Sequence, residues 1–345
     1  NLDLPQFPIS NFNLPKNAIP TTKDTLSEKS FTYSVKARLM IFARQHRLHQ
    51  TLPVRSRILT AIRNFFIDNC YLEVDTPVCI PAPLPEPHIY APRADCGYLQ
   101  TSPEVCMKQL LAVGFEKLFQ ICKCFRQSER GERHLPEFTM LEWYGAGQTT
   151  KDLMHTCEAL IERIFRDLQQ QATIEYRHKS IDLSLPWLRI TVSEAFSRYG
   201  STDMEAAIEE GKFDEIMGLE IEPCLGDRQP VFVYDYPAEK SPLAAPKPGA
   251  PEIAQRFELY IAGLEICNGF TELTDPELQQ RRFEKELEHR RQGGLPVYPL
   301  PSRFLDALHA MPAAAGCALG IDRLVMIFTD STAIDDVVAF TPEAL

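Results

Sequence analysis

Residues 256–270 read RFELYIAGLEICNGF, and the fold turns on how this stretch is paired. Two apolar runs flank Ala262-Gly263, a dipeptide suited to a two-residue hairpin turn. Folding about that turn pairs Ile261 with Leu264 and Tyr260 with Glu265. Side chains alternate across a strand, so this register places Glu258, Tyr260, Glu265 and Cys267 on one face. Asn268 falls on the other face unless the chain bends at Gly269. Glu258 and Glu265 become diagonal neighbours. Two carboxylates about 5 Å apart repel by about 3 kcal/mol at an effective dielectric of 20. Either one takes a proton or a cation sits between them. Hard oxygen donors with few other ligands suit Mg²⁺ bridging the phosphates of a substrate. A solvent-facing acidic edge is the alternative.

Upstream, 117–125 (KLFQICKCF) and 137–144 (EFTMLEWY) read as two strands joined by the polar loop QSERGERHLP. On the second strand Phe138, Met140, Glu142 and Tyr144 share a face. An aromatic ring can stack on a flat base, and a carboxylate can hold an ammonium. Arg126, Arg133 and His134 add donors suited to phosphate, although an Arg/Glu-rich loop can equally be a solvated turn. Near the C-terminus, GCALGIDRLVMIF (316–328) is a glycine-containing strand entering a helix. Arg323 falls in its first turn, where the helix dipole disfavours a cation. A polyphosphate ligand would explain that placement; an ordinary surface arginine is the plain alternative.

Around these segments, 54–69 places Val54, Ile58, Ile62, Phe65 and Phe66 on one helical stripe. The helix leads into YLEVDTP, where Leu72 and Val74 alternate and Pro77 closes a strand. Ser102-Pro103-Glu104 starts a helix that runs to Gly114. Further helices are expected near 151–170 and 276–291. Residues 200–228 are acidic and poorly patterned, and 237–251 form a Pro/Ala loop. Helices and strands mix without regular βαβ alternation and without G-x-G-x-x-G, which points to an α+β class. Residues 1–50 divide into an irregular arm (1–30) and a basic helix (33–50), followed by one larger domain over 51–345. The sequence begins at Asn1 rather than Met.

The 345 residues are 44% hydrophobic and 24% charged, a globular balance with no apolar run long enough to span a membrane. No basic segment followed by an apolar stretch opens the chain, so a cytoplasmic location is expected. The ten cysteines contain no C-x-x-C pair and mostly sit in apolar runs, as reduced structural thiols would. A formal charge of −11 disfavours nucleic-acid phosphate as the main contact.

Taken in order, 54–77, 125–138 and 320–323 resemble motifs 1, 2 and 3 of the class II aminoacyl-tRNA synthetases, over roughly 54–340. The strings TSPE (101–104), RHLPEFTMLEWY (133–144), RFELYIAGLEICNGFTEL (256–273) and GIDRLVM (320–326) resemble the lysine-specific branch. The resemblance implies an antiparallel sheet flanked by helices, a homodimer built on motif 1, and ATP and Mg²⁺ as cofactors. It makes Arg126 the partner of the α-phosphate and Arg323 that of the γ-phosphate, the two charges of catalysis. Phe138 would stack on adenine, and Arg133 and His134 would touch the nucleotide. Glu258 and Glu265 would hold the metal. Glu104, Glu142, Tyr144, Asn268, Phe270 and Glu272 would line the lysine pocket.

Two departures refine this resemblance. About 50 residues precede motif 1, without the five strands of an anticodon-binding OB-fold, so no anticodon recognition is expected. Ala318 stands where the synthetase pattern has Gly; one methyl in a tight pocket is worth about 1–3 kcal/mol. Both features resemble the truncated paralogues that attach (R)-β-lysine, or lysine, to a lysine of elongation factor P. The resemblance implies adenylate formation at the amino acid's carboxylate, then attack by the acceptor ε-amine. Charging of tRNA and a catalytically silent regulatory protein are the competing expectations. Motif 2 usually has Glu two residues after its Arg; here Ser128 stands there and Glu129 follows, leaving Glu129 or the backbone to meet adenine.

Overall fold

The computed structural model describes residues 28–169 and 171–345, with side chains in the first helix described at Arg44 and from His46 onward. The chain divides into two compact units, Asn1–Gln45 and His46–Leu345. The irregular arm expected over 1–30 lies outside the described residues except for 28–30, which are helical. In the basic helix expected over 33–50, the side chains of 33–43 and of Gln45 also lie outside them. The two expected helices are one element, α1 (Glu28–Asp68), with Pro53 inside it, so the boundary expected at 50/51 falls within a helix. In the second unit Ile58, Ile62, Phe65 and Phe66 of α1 are buried as the stripe requires, with Val54 packed beside them.

The strand expected in YLEVDTP is only β1 (Leu72–Glu73), and both of its residues are exposed. A small three-stranded sheet follows, from β2 (Cys79–Ile80), β3 (Arg93–Ala94) and β4 (Gly97–Leu99). It corrects the expectation of reduced structural thiols at two positions, because Cys79 and Cys96 are disulfide-bonded. Pairing of β2 with β4, together with the β3–β4 turn that carries Cys96, brings their Cα atoms to 6.2 Å, within bonding range. Next come α2 (Glu104–Ala112), β5 (Lys117–Phe125), β6 (Glu137–Ala146) and α3 (Thr150–Asp167). A hairpin of β7 (Thr173–Tyr176) and β8 (Lys179–Asp182) precedes β9 (Leu188–Thr191).

The stretch read as poorly patterned is helical. After α4 (Val192–Tyr199), it holds α5 (Met204–Glu209), α6 (Phe213–Ile216) and a π-helical turn at Met217–Ile221. Its apolar residues are too widely spaced for one long stripe, yet Phe196, Met204, Phe213, Ile216 and Ile221 close over the sheet as a separate cluster. The chain then forms β10 (Val231–Pro237), β11 (Pro246–Lys247), β12 (Ala250–Ile261) and β13 (Leu264–Thr271). It ends with α7 (Pro276–Gln292), α8 (Ser302–Leu308), β14 (Ala314–Gly320) and α9 (Ile321–Phe328).

One sheet organises the second unit, in the order β1-β5-β6-β14-β13-β12-β10-β9, with β11 beside β12. Pairing is antiparallel except at the two ends, β1 with β5 and β9 with β10. This is the expected α+β arrangement. Alternation divides the central strands into two chemistries. Leu141, Trp143, Phe257, Leu259, Cys267, Cys317 and Leu319 point to the face covered by α1, α3 and α9, forming the main core. Polar residues occupy the other face. Arg55 of α1 ties the three motif segments together: it pairs with Asp322 of α9 at 2.5 Å and donates to Thr139 Oγ1 of β6 at 2.8 Å. The Thr139 N–H donates to the second Asp322 oxygen at 2.7 Å, so a half-buried charge pair locks helix, strand and helix N-terminus into one frame.

Candidate active site

The turn at Ala262-Gly263 has positive φ at both positions, 52° and 72°, as a two-residue hairpin of matching twist requires. Ile261 pairs with Leu264 and Tyr260 with Glu265, the register expected from sequence. Beyond that the register shifts: Leu259 pairs with Cys267 and Glu258 with Asn268, leaving Ile266 as the extra residue. This bulge corrects two expectations. Cys267 faces the core rather than sharing a face with Glu258, and Asn268 joins the polar face without any bend at Gly269. A bulge offsets the alternation by one residue, so Glu265 and Asn268 point the same way.

Lateral pairing then lays the site out in rows across the strands. One row runs Glu142, Ala318, Asn268, Glu258. The next runs Tyr144, Gly316, Phe270, Arg256. Glycine is required at 316: a Cβ there would stand 2.2 Å from the Tyr144 ring and 2.6 Å from a Glu272 oxygen. Over these rows opens a cavity of about 290 Å³. Its walls include Arg126, Glu129, Arg133, His134, Phe138, Glu258, Glu265 and Arg323 toward one end. Glu104, Glu142, Tyr144, Asn268, Phe270 and Ala318 also line it. Glu272 alone among the expected residues is not on the wall. Its Oε1 lies over Gly316 on the side where a Cβ would point, and it is ion-paired to Lys108 of α2, which also pairs with Glu104.

The acidic end is a cluster of three buried carboxylates around that single ammonium. Ser102 Oγ donates to Glu142 Oε1 at 2.5 Å and Tyr144 donates to Glu142 Oε2 at 2.7 Å. Burial, reinforced by the charge of Glu104, pushes the Glu142 carboxyl up to about 8. Burial pushes Glu272 up to about 8 as well, while Lys108 pulls against it. Glu272 Oε1 is buried without a hydrogen-bond partner. The cluster is thus short of positive charge, which an entering ammonium would supply.

The other end is cationic. Arg323 donates to the Glu265 backbone oxygen at 2.9 Å and to its carboxylate at 3.1 Å. Its Nη2 lies 2.6 Å from His134 Nε2. Burial, then the Arg323 charge, lowers His134 to about 4, so the ring is neutral and accepts from the guanidinium. Glu265 is held below the usual carboxylate range: burial pushes it up, but Arg323, Arg126 and Arg256 outweigh that. Arg126 stacks over Phe138 with its guanidinium carbon 5.2 Å from the ring centre. Its nearest ion-pair partner, Glu129, is 3.9 Å away, and its Nε is buried without a hydrogen bond. Glu129, not Ser128, is on the wall; Ser128 takes a left-handed turn conformation.

Four residues escaped the sequence reading. Arg256 bonds Asn268 Oδ1 at 3.0 Å and also Glu258, joining the two ends of the site. Period-2 alternation from Glu258 could have found it. Lys108 sits one helical turn after Glu104, a detectable i,i+4 signal. Glu86 reaches the wall from an irregular loop, and burial, then Glu104, pushes it up to about 7. Burial, then the charges of Glu265 and Glu258, pushes Glu222 up to about 7. Nothing local in sequence marks either of these last two.

A cavity floored by an antiparallel sheet, with cations from a strand–loop–strand unit and from a strand–helix unit, defines a class II synthetase catalytic domain. The family described as tRNA synthetases class II (D, K and N) matches residues 30–344, and the chain belongs to it. Within this family the chain is similar to the elongation factor P–(R)-beta-lysine ligase of Erwinia tasmaniensis, 38% identical over 305 residues. That match covers 83% of this chain and 93% of the relative. The Salmonella arizonae ligase of the same name is 39% identical over the same shares. The lysine–tRNA ligase of Nitrosomonas europaea is 38% identical over 84% of this chain but only 63% of its own length, so the chain spans less than two thirds of that relative.

Proposed function

We infer that this chain is an AMP-forming ligase that activates (R)-β-lysine or lysine with ATP and transfers it to a lysine side chain of elongation factor P. The observation that carries this reading is one cavity with a carboxylate cluster at one end and Arg126, Arg133 and Arg323 lining the other. Glu142 and Tyr144 suit the substrate's ammonium, with Glu104 and Asn268 beside them. Phe270 supplies an apolar wall for the methylene chain. Phe138 offers a face for the base, and Arg126 and Arg323 flank the region where phosphate charge must be neutralised.

The residues fit a divalent cation. Glu258 and Glu265 share the wall, and Glu222 behind them is raised partly by their charges, a crowding that a cation relieves. When bound, Mg²⁺ would neutralise and orient the phosphates. The chain's own residues hold the rest: Tyr236 donates to Glu258 at 2.7 Å, Tyr260 donates to the same oxygen, and Arg256 holds the other. No side chain need become covalently bound; positioning and charge do the chemistry.

Ala318 favours a protein-modifying ligase over tRNA charging. Its methyl stands between Glu142 and Asn268 in the same row and narrows the floor of the amino-acid subsite. Exposed Leu72 on the edge strand β1 and exposed Ile67 near the end of α1 support a homodimer through motif 1. Sedimentation of L72E should show monomers, and an intact dimer would reject that interface. For the activity, elongation factor P is incubated with the protein, ATP and each lysine isomer, then weighed by mass spectrometry. Gain of one lysyl mass is expected; no gain with either isomer rejects the reading.

A further inference from the structure

Behind the floor of the cavity, three sulfurs converge in the core. Cys157 of α3, Cys267 of β13 and Cys317 of β14 have their Sγ atoms all within 4.8 Å of one another, and Cys157 lies 3.5 Å from Cys267. Their exposures are 0%, 1% and 2%, so no solvent completes the group. The bulge at Ile266 is what turns Cys267 inward. Gly269, opposite Cys317 on the neighbouring strand, leaves room for that sulfur: a Cβ at 269 would stand 3.1 Å from it.

We propose that Cys157, Cys267 and Cys317 form a three-sulfur site for a single Cu(I) ion, which displaces thiol protons to solvent as the Cu–S bonds form. Sulfurs bound at about 2.3 Å, the usual zinc–thiolate length, stand about 4.0 Å apart around a trigonal ion. The Cys157–Cys267 distance of 3.5 Å, with no pair of the three beyond 4.8 Å, is compatible with that value. The donor set selects the metal. Soft thiolates favour Cu(I), zinc or iron–sulfur clusters. Structural zinc takes four ligands, and among the described residues no fourth Cys, His, Asp or Glu joins the group. Leu141, Trp143, Phe257 and Leu319 belong to the same core and offer no donor. A soft monovalent ion content with three sulfurs fits where zinc does not.

The site has a structural consequence. Gly316 and Ala318, which flank Cys317, and Asn268, which follows Cys267, floor the cavity, so an ion would clamp α3 to the two strands that carry the amino-acid subsite. Exposed Cys70 and Cys224 are competing thiols, as is the Cys122/Cys124 pair, whose sulfurs are 3.8 Å apart. The test therefore uses the full chain with C70S, C224S, C122S and C124S, loaded anaerobically with Cu(I) against bicinchoninate. One retained equivalent is expected, with a sulfur-only shell by X-ray absorption. Separate C157A, C267A and C317A changes should each abolish retention while leaving the metal-free thermal transition cooperative. If one of these variants fails to fold, the absorption spectrum of the four-serine protein still decides. No retained copper, retention undiminished in C267A or C317A, or a shell containing nitrogen or oxygen overturns the proposal.

Discussion

Arg126→Ala tests the cationic end most cleanly, because this arginine does little for the unliganded fold. Its one ion pair is at the 3.9 Å limit, its Nε has no acceptor, and its guanidinium leans on Phe138. A weak, quarter-exposed pair and one cation–π contact together contribute about 1 kcal/mol, so the unfolding midpoint should move only slightly. Activity should respond differently. Losing one preorganised donor to developing charge costs about 2.7–4 kcal/mol, or about 10²–10³ in rate. The assay is lysine-dependent exchange of pyrophosphate into ATP, run beside thermal unfolding of the same sample. Undiminished exchange would refute the assignment of Arg126 to the phosphates. A fall in exchange matched by a collapse in stability would instead show that the arginine is structural.

Other perturbations address the acidic end. Ala318→Gly removes one methyl from the subsite floor and should shift the kcat/KM ratio between lysine and (R)-β-lysine by about 10–200-fold; an unchanged ratio removes Ala318 from specificity. Lys108→Met strips the counter-ion from buried Glu104 and Glu272 and should cost about 3–5 kcal/mol in urea unfolding at pH 8. A loss under 1 kcal/mol would mean that the cluster is neutral without it. Because Glu142 sits at about 8, it is mostly protonated at neutral pH, whereas an ammonium ligand favours the carboxylate. Amino-acid affinity should therefore rise with pH from 6.5 toward 8, with proton release seen by calorimetry in two buffers. The slope should vanish in E142Q, and proton uptake on binding would contradict the scheme.

How much was legible varies with the range of the interaction. Phe138, Glu142 and Tyr144 share a face because strand alternation is local, and the structure keeps that face. The Ala262-Gly263 turn and its first two pairs are equally local, since both φ values are dictated by the turn. The next pair was not: the bulge at Ile266 depends on how β13 meets β12 and β14 at once. It exchanged the roles of Cys267 and Asn268. Lys108 and Glu272 lie 164 residues apart, and Glu86 and Arg126 lie 40 apart in different loops, so no sequence period connects them.

The sequence by itself determined which strands turn back on themselves, which residues each strand presents together, and which three segments carry charge for phosphate. Those depend on backbone stereochemistry and on patterns a few residues long. Tertiary structure alone decided which carboxylate faces the cavity and which is tied to an internal lysine, and it alone joined Cys79 to Cys96. Such choices rest on burial and on charges brought together from distant parts of the chain, where the low dielectric makes each pairing count.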